Sequence, residues 1–442
     1  MVNQKQLLKS IINYKHQIIY LIDFMELKFY GGAQEVGRSA ILLKDERSFL
    51  LDFGIKIDHV IDYPIGVPDV DALILSHAHL DHSGFTPAVY NDHRVPCFGT
   101  KPTIDISLLL IRDSLKIEKR RHAKKRFGHK QIIKLKTNFI DVGYNKLSPF
   151  GNFNITLFDA GHISGSAITL IERTKAKDDK RIVYTGDFKL QPQMLLRGAK
   201  IVKSDVLIIE STYAAKEHTN RDELTKKFVD EIKATIENGG NALIPAFAVG
   251  RSQEILTILY ENNLIDYTYL DGMAKEATNI TLQNSDYIAN ATTLNEAFQK
   301  VNIIEEYSQR REALQKPSII LTTSGMLSGG PVLDYITKLR ANSHIILTGY
   351  QTEKTNGRML LEEGCIMLND TKLKINAKIS FYDFSAHAGR SDLFEYVKRS
   401  EPNIVICVHG DENNTIQFAK DLKEEGYKTY APKINDVIKL KD

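Results

Sequence analysis

Short apolar runs alternate with amphipathic stretches along most of the chain, which is the pattern of an α/β protein. Strands are predicted in the first part at residues 40–43, 48–52, 72–75, 154–158, 167–171, 182–185 and 206–210. Several end in a histidine or carboxylate followed by glycine or a turn, and loops held by rigid strands are where hydrolase sites are built. From about residue 212 to 374 the rhythm becomes strand, glycine loop, helix. Residues 242–247 precede Gly250-Arg251-Ser252, 268–270 precede Asp271-Gly272, 318–323 precede Ser324-Gly325, and 345–348 run into Gly349-Tyr350-Gln351. Such parallel βα units turn glycine loops and helix N-termini toward a common edge, where they can face an anion. Beyond 375 the histidine-tipped strands return, near His387 and His409. The simplest organisation is one domain interrupted by another: an extension at 1–25, a catalytic domain in two parts at 26–210 and 376–442, and an insert at 211–375.

Composition narrows the class. The chain has 442 residues, 43% hydrophobic and 26% charged, which is enough for two or three soluble domains with their own cores. No apolar run approaches the roughly 18 residues of a membrane span; residues 11–24 come nearest and are broken by Lys15, His16 and Asp23. The same segment lacks the apolar core and small-residue cleavage site of a secretory signal, so it is read as a short accessory helix or an over-long translation start. Cys97, Cys365 and Cys407 are scattered without CxxC spacing, which fits a reducing cytoplasm. Net charge is only +3, so a polyanionic partner must be held by local basic patches. One such stretch carries Lys116, Lys119, Arg120, Arg121, Lys124, Lys125 and Arg126; it is either a solvated helix face or a phosphate-attracting flank of the active site.

The most specific chemistry lies at Ser76-His77-Ala78-His79-Leu80-Asp81-His82, an HxHxDH string directly after an apolar run. Alternate residues turn His77 and His79 one way, while Asp81 and His82 serve a neighbouring position. Neutral imidazoles with a carboxylate suit zinc, at about 2.0–2.2 Å per ligand. Further ligands must come from elsewhere, and three strand ends offer them: His162 in Asp159-Ala160-Gly161-His162, Asp187 in Thr185-Gly186-Asp187, and His409 in Val408-His409-Gly410. Singly each is an ordinary loop residue; with the HxHxDH string they form a set.

In order and spacing this set resembles the metallo-β-lactamase superfamily. The resemblance implies an αββα sandwich with two Zn2+ at one edge. His77, His79 and His162 would take one ion, Asp81, His82 and His409 the second, and Asp187 would bridge them. Asp52, at the end of Leu50-Leu51-Asp52, matches the first motif of that family, where it would orient the HxHxDH loop without binding metal. Glu210 in Glu210-Ser211-Thr212-Tyr213, His387 in Ser385-Ala386-His387-Ala388 and His409 stand in the places of motifs A, B and C of the β-CASP nucleases. The match covers residues 26–442. It extends to the strings at 31–39, 245–251, 323–326 and 348–351, and within the family is closest to the nuclease subunit of the cleavage and polyadenylation specificity factor and its archaeal relatives. RNase J is more distant. The KH module and long C-terminal domain of larger relatives are not found, so the sequence preference and assembly they supply are not expected.

The implied activity is zinc-dependent hydrolysis of RNA phosphodiester bonds, as an endonuclease, a 5′–3′ exonuclease or both. The resemblance favours RNA because DNA-cutting members usually carry valine at the position of His409. A water activated by the metals would attack phosphorus, with Asp81 counted among the catalytic groups, and His387, oriented by Glu210, would protonate the departing 3′-oxygen. The rival reading of His387 is a hinge contact between domains. Arg251, Lys275, Ser324 and Tyr350 are candidate contacts to the RNA backbone, although Ser252 and Ser324 are equally suited to capping helices. The expected partners are single-stranded RNA and, beyond it, a second copy of the chain or an RNA-processing complex. Alternatives are a single-stranded DNA nuclease, an esterase of small substrates on the same fold, and a non-catalytic RNA-binding subunit.

Overall fold

The computed structural model describes residues 25–57, 61–120, 124–174 and 180–440. The expected extension before Met25, and Arg121 of the basic stretch, lie outside them.

In the first strand, Met25–Gly31, every second residue is buried, with Leu27 and Phe29 turned inward and Lys28 and Tyr30 only half covered. The next strand, Ala40–Lys44, is buried on both faces up to Leu43, as a strand covered on two sides must be. These strands belong to a seven-stranded sheet in the order Val437–Leu440, Met25–Gly31, Ala40–Lys44, Ser48–Leu51, Ala72–Ile74, Cys97–Gly99, Phe139–Asp141. A second seven-stranded sheet runs Lys428–Tyr430, Ile404–Val408, Val206–Glu210, Arg181–Tyr184, Ala167–Arg173, Phe153–Asp159, Leu147–Phe150. Their inner faces share one core, in which Leu27, Phe49, Leu51 and Ile74 meet Ile155, Leu157, Ile182, Ile208 and Ile406. Helix Lys101–Arg120 covers the outside of the first sheet through Ile104, Leu108 and Ile111. Helices Arg390–Ser400 and Glu412–Glu424 cover the second through Leu393, Val397, Phe418 and Leu422. The layers are α, β, β, α.

The chain leaves this sandwich after Val206–Glu210 and re-enters it in the neighbouring strand, Ile404–Val408, paired in parallel with Glu210 opposite Val408. Between them lies a six-stranded parallel sheet in the order Asn302–Ile303, Thr268–Asp271, Ser318–Thr322, Asn241–Pro245, His344–Leu347, Lys378–Phe381. The last strand pairs His344 with Lys378. The insert's sheet therefore extends past the boundary expected at 375. That edge strand is only partly buried, so it lacks the solid apolar run that marks its neighbours. A small apolar cluster of Ala78, Ile106, Ile163, Val249 and Ala277 joins the two domains beside the HxHxDH loop.

Of the basic stretch, Lys116 and Lys119 occupy the last turns of helix Lys101–Arg120. The start of that helix is tied to the loop after His162 by hydrogen bonds from Thr100 Oγ1 and Thr103 Oγ1 to the Gly165 carbonyl. The Lys116 and Lys119 side chains are both exposed, on turns beyond Leu108 and Ile111, which share a core with Leu80 of the HxHxDH loop.

Candidate metal centre

The HxHxDH string leaves the strand Ala72–Ile74 and makes a tight loop into a one-turn helix, Leu80–Ser83. Its shape is dictated by Asp52. That carboxylate is fully buried, and its two oxygens accept four hydrogen bonds: Ser76 N (2.7 Å), Ser76 Oγ (2.6 Å), His82 Nδ1 (2.7 Å) and Tyr184 Oη (2.8 Å). Asp52 holds a left-handed backbone conformation (φ 57°), as does His409 (φ 49°), and such positions in non-glycine residues gather at functional sites. Two residues on, a Cβ at Gly54 would stand 1.7 Å from the Asp81 carbonyl, so only glycine lets this turn press onto the loop. Asp52→Asn is expected to lower metal affinity by roughly 10–100-fold while leaving the fold intact, because the amide orients His82 less well. Metal titration beside thermal unfolding checks this.

Six of the seven residues expected to bind metal sort into two groups of three, and the seventh stands between them. His77, His79, His162 and Asp187 offer ligand atoms within 4.8 Å of one another, and so do Asp81, His82, Asp187 and His409. Asp187 belongs to both. Its Oδ2 lies 3.6 Å from His77 Nε2 and 3.7 Å from His162 Nε2, while Oδ1 lies 3.3 Å from His82 Nε2 and 3.5 Å from His409 Nε2. One carboxylate thus turns an oxygen to each group. His79 faces His77 and His162 through Nδ1, at 3.2 and 3.1 Å.

The outward nitrogens are anchored. Ser39 Oγ pairs with His409 Nδ1 at 2.8 Å, Ser76 Oγ with His77 Nδ1 at 3.1 Å, and His162 Nδ1 donates to the Ala386 carbonyl at 2.9 Å. Each fixes a ring so that the other nitrogen looks inward. Burial holds His77 and His162 well below the ordinary imidazole range, aided by neighbouring rings, and also lowers His79, so these rings are neutral lone-pair donors. At Asp187 burial opposes ionisation, yet His409, His82 and His387 outweigh it and hold the carboxyl well below its usual range. Asp187 Oδ1, His82 Nε2 and His409 Nε2 are buried without a hydrogen-bond partner. Three orphaned polar atoms converging on one point would be costly in a site meant to stay dry of cations. The donor set therefore fits metal.

A third group adjoins the first two: Asp187, Glu210 and His387. His387 Nδ1 donates to Glu210 Oε2 at 2.8 Å, and Glu210 Oε1 accepts from Phe188 N, also at 2.8 Å. Burial works against a charge on His387, but the carboxylates of Glu210 and Asp187 prevail and raise its pKa to about 9. Several residues around it were not singled out from the sequence. The Tyr213 ring stacks on His387 (5.9 Å between centroids, 19° between planes), and both Lys189 Nζ and His218 Nε2 donate to the His387 carbonyl at 3.0 Å. Tyr213 stands within the quoted motif around Glu210, but Lys189 and His218 carry no local signal. Ser39 ends the string at 31–39, which gave it no role of its own.

The four expected RNA contacts are dispersed on the insert. Lys275 Nζ is occupied by protein oxygens, donating to the Ile304 carbonyl (2.6 Å) and pairing with Glu305 (3.2 Å). Ser324 Oγ accepts from Ser328 N within a turn. Tyr350 is 40% exposed, and burial together with the carboxylate of Asp411, just beyond His409, raises its phenol. Arg251 is almost wholly buried. Neither serine caps a helix: Gly250 stands before helix Arg251–Glu261, and the helix after Ser324 begins only at Val332.

Comparison with known proteins agrees with this layout. The model of the Zn-dependent metallo-hydrolase RNA specificity domain matches residues 372–432, that of the Beta-Casp domain matches 252–360, and that of the anti-Pycsar protein Apyc1 matches 32–237. "Probable RNase MJ4" of Methanocaldococcus jannaschii is 38% identical over 94% of this chain and all of its own length. "RNase aCSPSF2" of Saccharolobus solfataricus is 34% identical, covering 94% of this chain and 85% of its own. "Transcription termination factor FttA" of Methanothermobacter thermautotrophicus is 34% identical over 97% of this chain and 73% of its own. A solved Enterococcus faecalis protein of unknown function shares the fold, with a TM-score of 0.60 at 16% identity, over 94% of this chain and all of its own. No helix among the described residues is long and apolar enough to cross a membrane.

Proposed function

Because the chain belongs to the β-CASP family of metallo-β-lactamase-fold ribonucleases, we propose that it cuts single-stranded RNA at a centre of two zinc ions bridged by Asp187, with His387 as the general acid. It is a zinc-dependent ribonuclease of RNA processing. The observation that carries the two-metal reading is the division of Asp187's oxygens between two histidine groups, with Asp187 Oδ1, His82 Nε2 and His409 Nε2 on the second group's side buried and unpaired. His77, His79 and His162 would hold one ion; Asp81, His82 and His409 the other. Zinc bound there supplies an acidified water and positive charge against the phosphate oxygens.

The residues of the chain do the rest. Glu210 fixes the Nδ1 proton of His387, so Nε2 is the atom that carries a transferable proton to the departing 3′-oxygen. His387 is protonated at neutral pH, as an acid must be at the start of the step. The products are a 3′-hydroxyl and a 5′-phosphate. The contacts of His387's carbonyl to Lys189 and His218 also tie the return of the chain from the insert, so a hinge role coexists with the acid role.

The test is incubation of the wild type with 5′-labelled linear RNA, circular RNA and single-stranded DNA, beside Asp81→Ala. Cleavage of RNA that Asp81→Ala lacks supports the reading, and cutting of circles establishes internal cleavage. Equal cutting of DNA would move the substrate class. Removal of zinc by a chelator is expected to abolish cleavage and lower Tm, with both restored by zinc alone. An ion at 100 times its dissociation constant stabilises by about 2.7 kcal/mol, so the shift is readily seen by thermal scan.

A further inference from the structure

The seam between sandwich and insert, just behind His387, holds a guanidinium without a counterion. Arg251 is 8% exposed, its side chain makes no hydrogen bond or ion pair among the described residues, and its Nε is buried and unpartnered. Its helix, Arg251–Glu261, starts against the metal-ligand loop: a Cβ at Gly250 would meet Ile163, the residue after His162, at 2.7 Å.

The acids within electrostatic reach of Arg251 are already engaged. Glu254 accepts from Met194 N (3.0 Å), Leu195 N (3.2 Å) and Arg221 Nη2 (3.2 Å). Asp383 Oδ1 accepts from Ser385 N (3.1 Å) and Tyr213 Oη (3.3 Å). Lys189, 7% exposed, adds a second buried cation in the same neighbourhood, and its ammonium donates to a neutral carbonyl. Lys189, Arg221 and Arg251 thus stand among Glu254, Asp383 and Asp392, yet none of these carboxylates pairs with the Arg251 guanidinium. Burial of an unpaired charge is costly, and a bound anion would offset that cost. Desolvation is felt at Arg251 itself, whose pKa falls to about 10.

We infer that Arg251, supported by Lys189, is an anion subsite that binds one RNA phosphate beside the cut, on the side of the departing 3′-oxygen. The side follows from position: Arg251 is an electrostatic neighbour of Tyr213, and Tyr213 stacks on His387, the group that serves that oxygen. This rests on the ribonuclease reading above and adds to it a fixed register of the strand. A guanidinium matches a phosphodiester by two parallel N–H donors, which an ammonium cannot copy.

The test uses the full chain, an RNA oligonucleotide with a single cut site, and Arg251→Gln and Arg251→Lys. KM is expected to rise about tenfold or more in Arg251→Gln, from loss of a charge-assisted bond, with partial recovery in Arg251→Lys. The slope of log KM against log salt should fall by about one contact. A neutral methylphosphonate at the phosphate next to the cut, on its 5′ side, should weaken the wild type by a similar factor and leave Arg251→Gln almost unaffected. RNA-free Tm should rise in Arg251→Gln, since an uncompensated buried charge is gone. Unchanged KM and salt slope, or a methylphosphonate penalty that persists in full in Arg251→Gln, would overturn the subsite while wild-type cleavage still supports the ribonuclease reading. A lowered Tm with normal KM would assign Arg251 a structural part and overturn it too. Failure of the wild type to cut RNA would remove both readings together.

Discussion

Asp187→Asn is expected to reduce RNA cleavage by about a thousandfold or more and to leave the chain with less than its full complement of zinc. The substitution keeps the shape of the side chain and removes the charge that faces both histidine groups, at 3.3–3.7 Å from four imidazole nitrogens. A metal centre contributes several kcal/mol of transition-state stabilisation, and 1.36 kcal/mol is a factor of ten, so loss of a carboxylate shared by two ions would cost about three powers of ten. The effect should exceed that of Asp52→Asn, because Asp52 acts through Ser76 and His82. Bound metal measured with single-turnover cleavage checks both parts; an Asp187→Asn protein with full zinc and more than a tenth of wild-type activity would contradict them.

His387→Ala should lose roughly 10²–10⁴-fold in kcat while keeping its zinc. The loss should disappear on an RNA whose scissile 3′-oxygen is replaced by sulfur, since a thiolate leaves without a proton. A structural defect at the domain seam would slow both substrates alike, so this comparison separates the acid role from the hinge role. The pH profile gives the sign independently. His387 must be protonated, and Glu210 and Asp187 raise its pKa to about 9, so kcat falls as pH rises toward and through that value. Cations on Asp187 would cancel its share of that pull, which moves the basic limb below 9 in the loaded enzyme. In Glu210→Gln the limb should move further down, because the remaining burial disfavours the charged ring.

Much of this candidate site was legible because the residues that would bind metal sit at strand ends. His77 follows Ala72–Ile74, Asp187 follows Arg181–Tyr184, and His409 follows Ile404–Val408; each buried apolar run announces its strand, and each polar residue after it falls on the same rim. The parallel pairing of Val206–Glu210 with Ile404–Val408 explains why Glu210 and His409, far apart in the chain, arrive together. What apolar pattern cannot express is the environment of a long cationic side chain. Lys275 resembles a free cation in the sequence but is spent on Ile304 and Glu305, while Arg251 is buried without a counterion. Charge density along the chain likewise says nothing of which face the basic stretch serves: Lys116 and Lys119 are exposed, and Arg126 lies over the Tyr63 ring. Lys189 and His218 were missed because their role is a bond to a backbone carbonyl, which no side-chain motif encodes.

Native mass spectrometry of the wild type and Asp187→Asn, run beside RNA cleavage, puts the shared carboxylate to the most direct trial. Two zinc ions on each wild-type chain, fewer on the variant, and cleavage that falls with the second ion are the predicted result. A fully active wild type holding one ion or none would contradict a bridged pair.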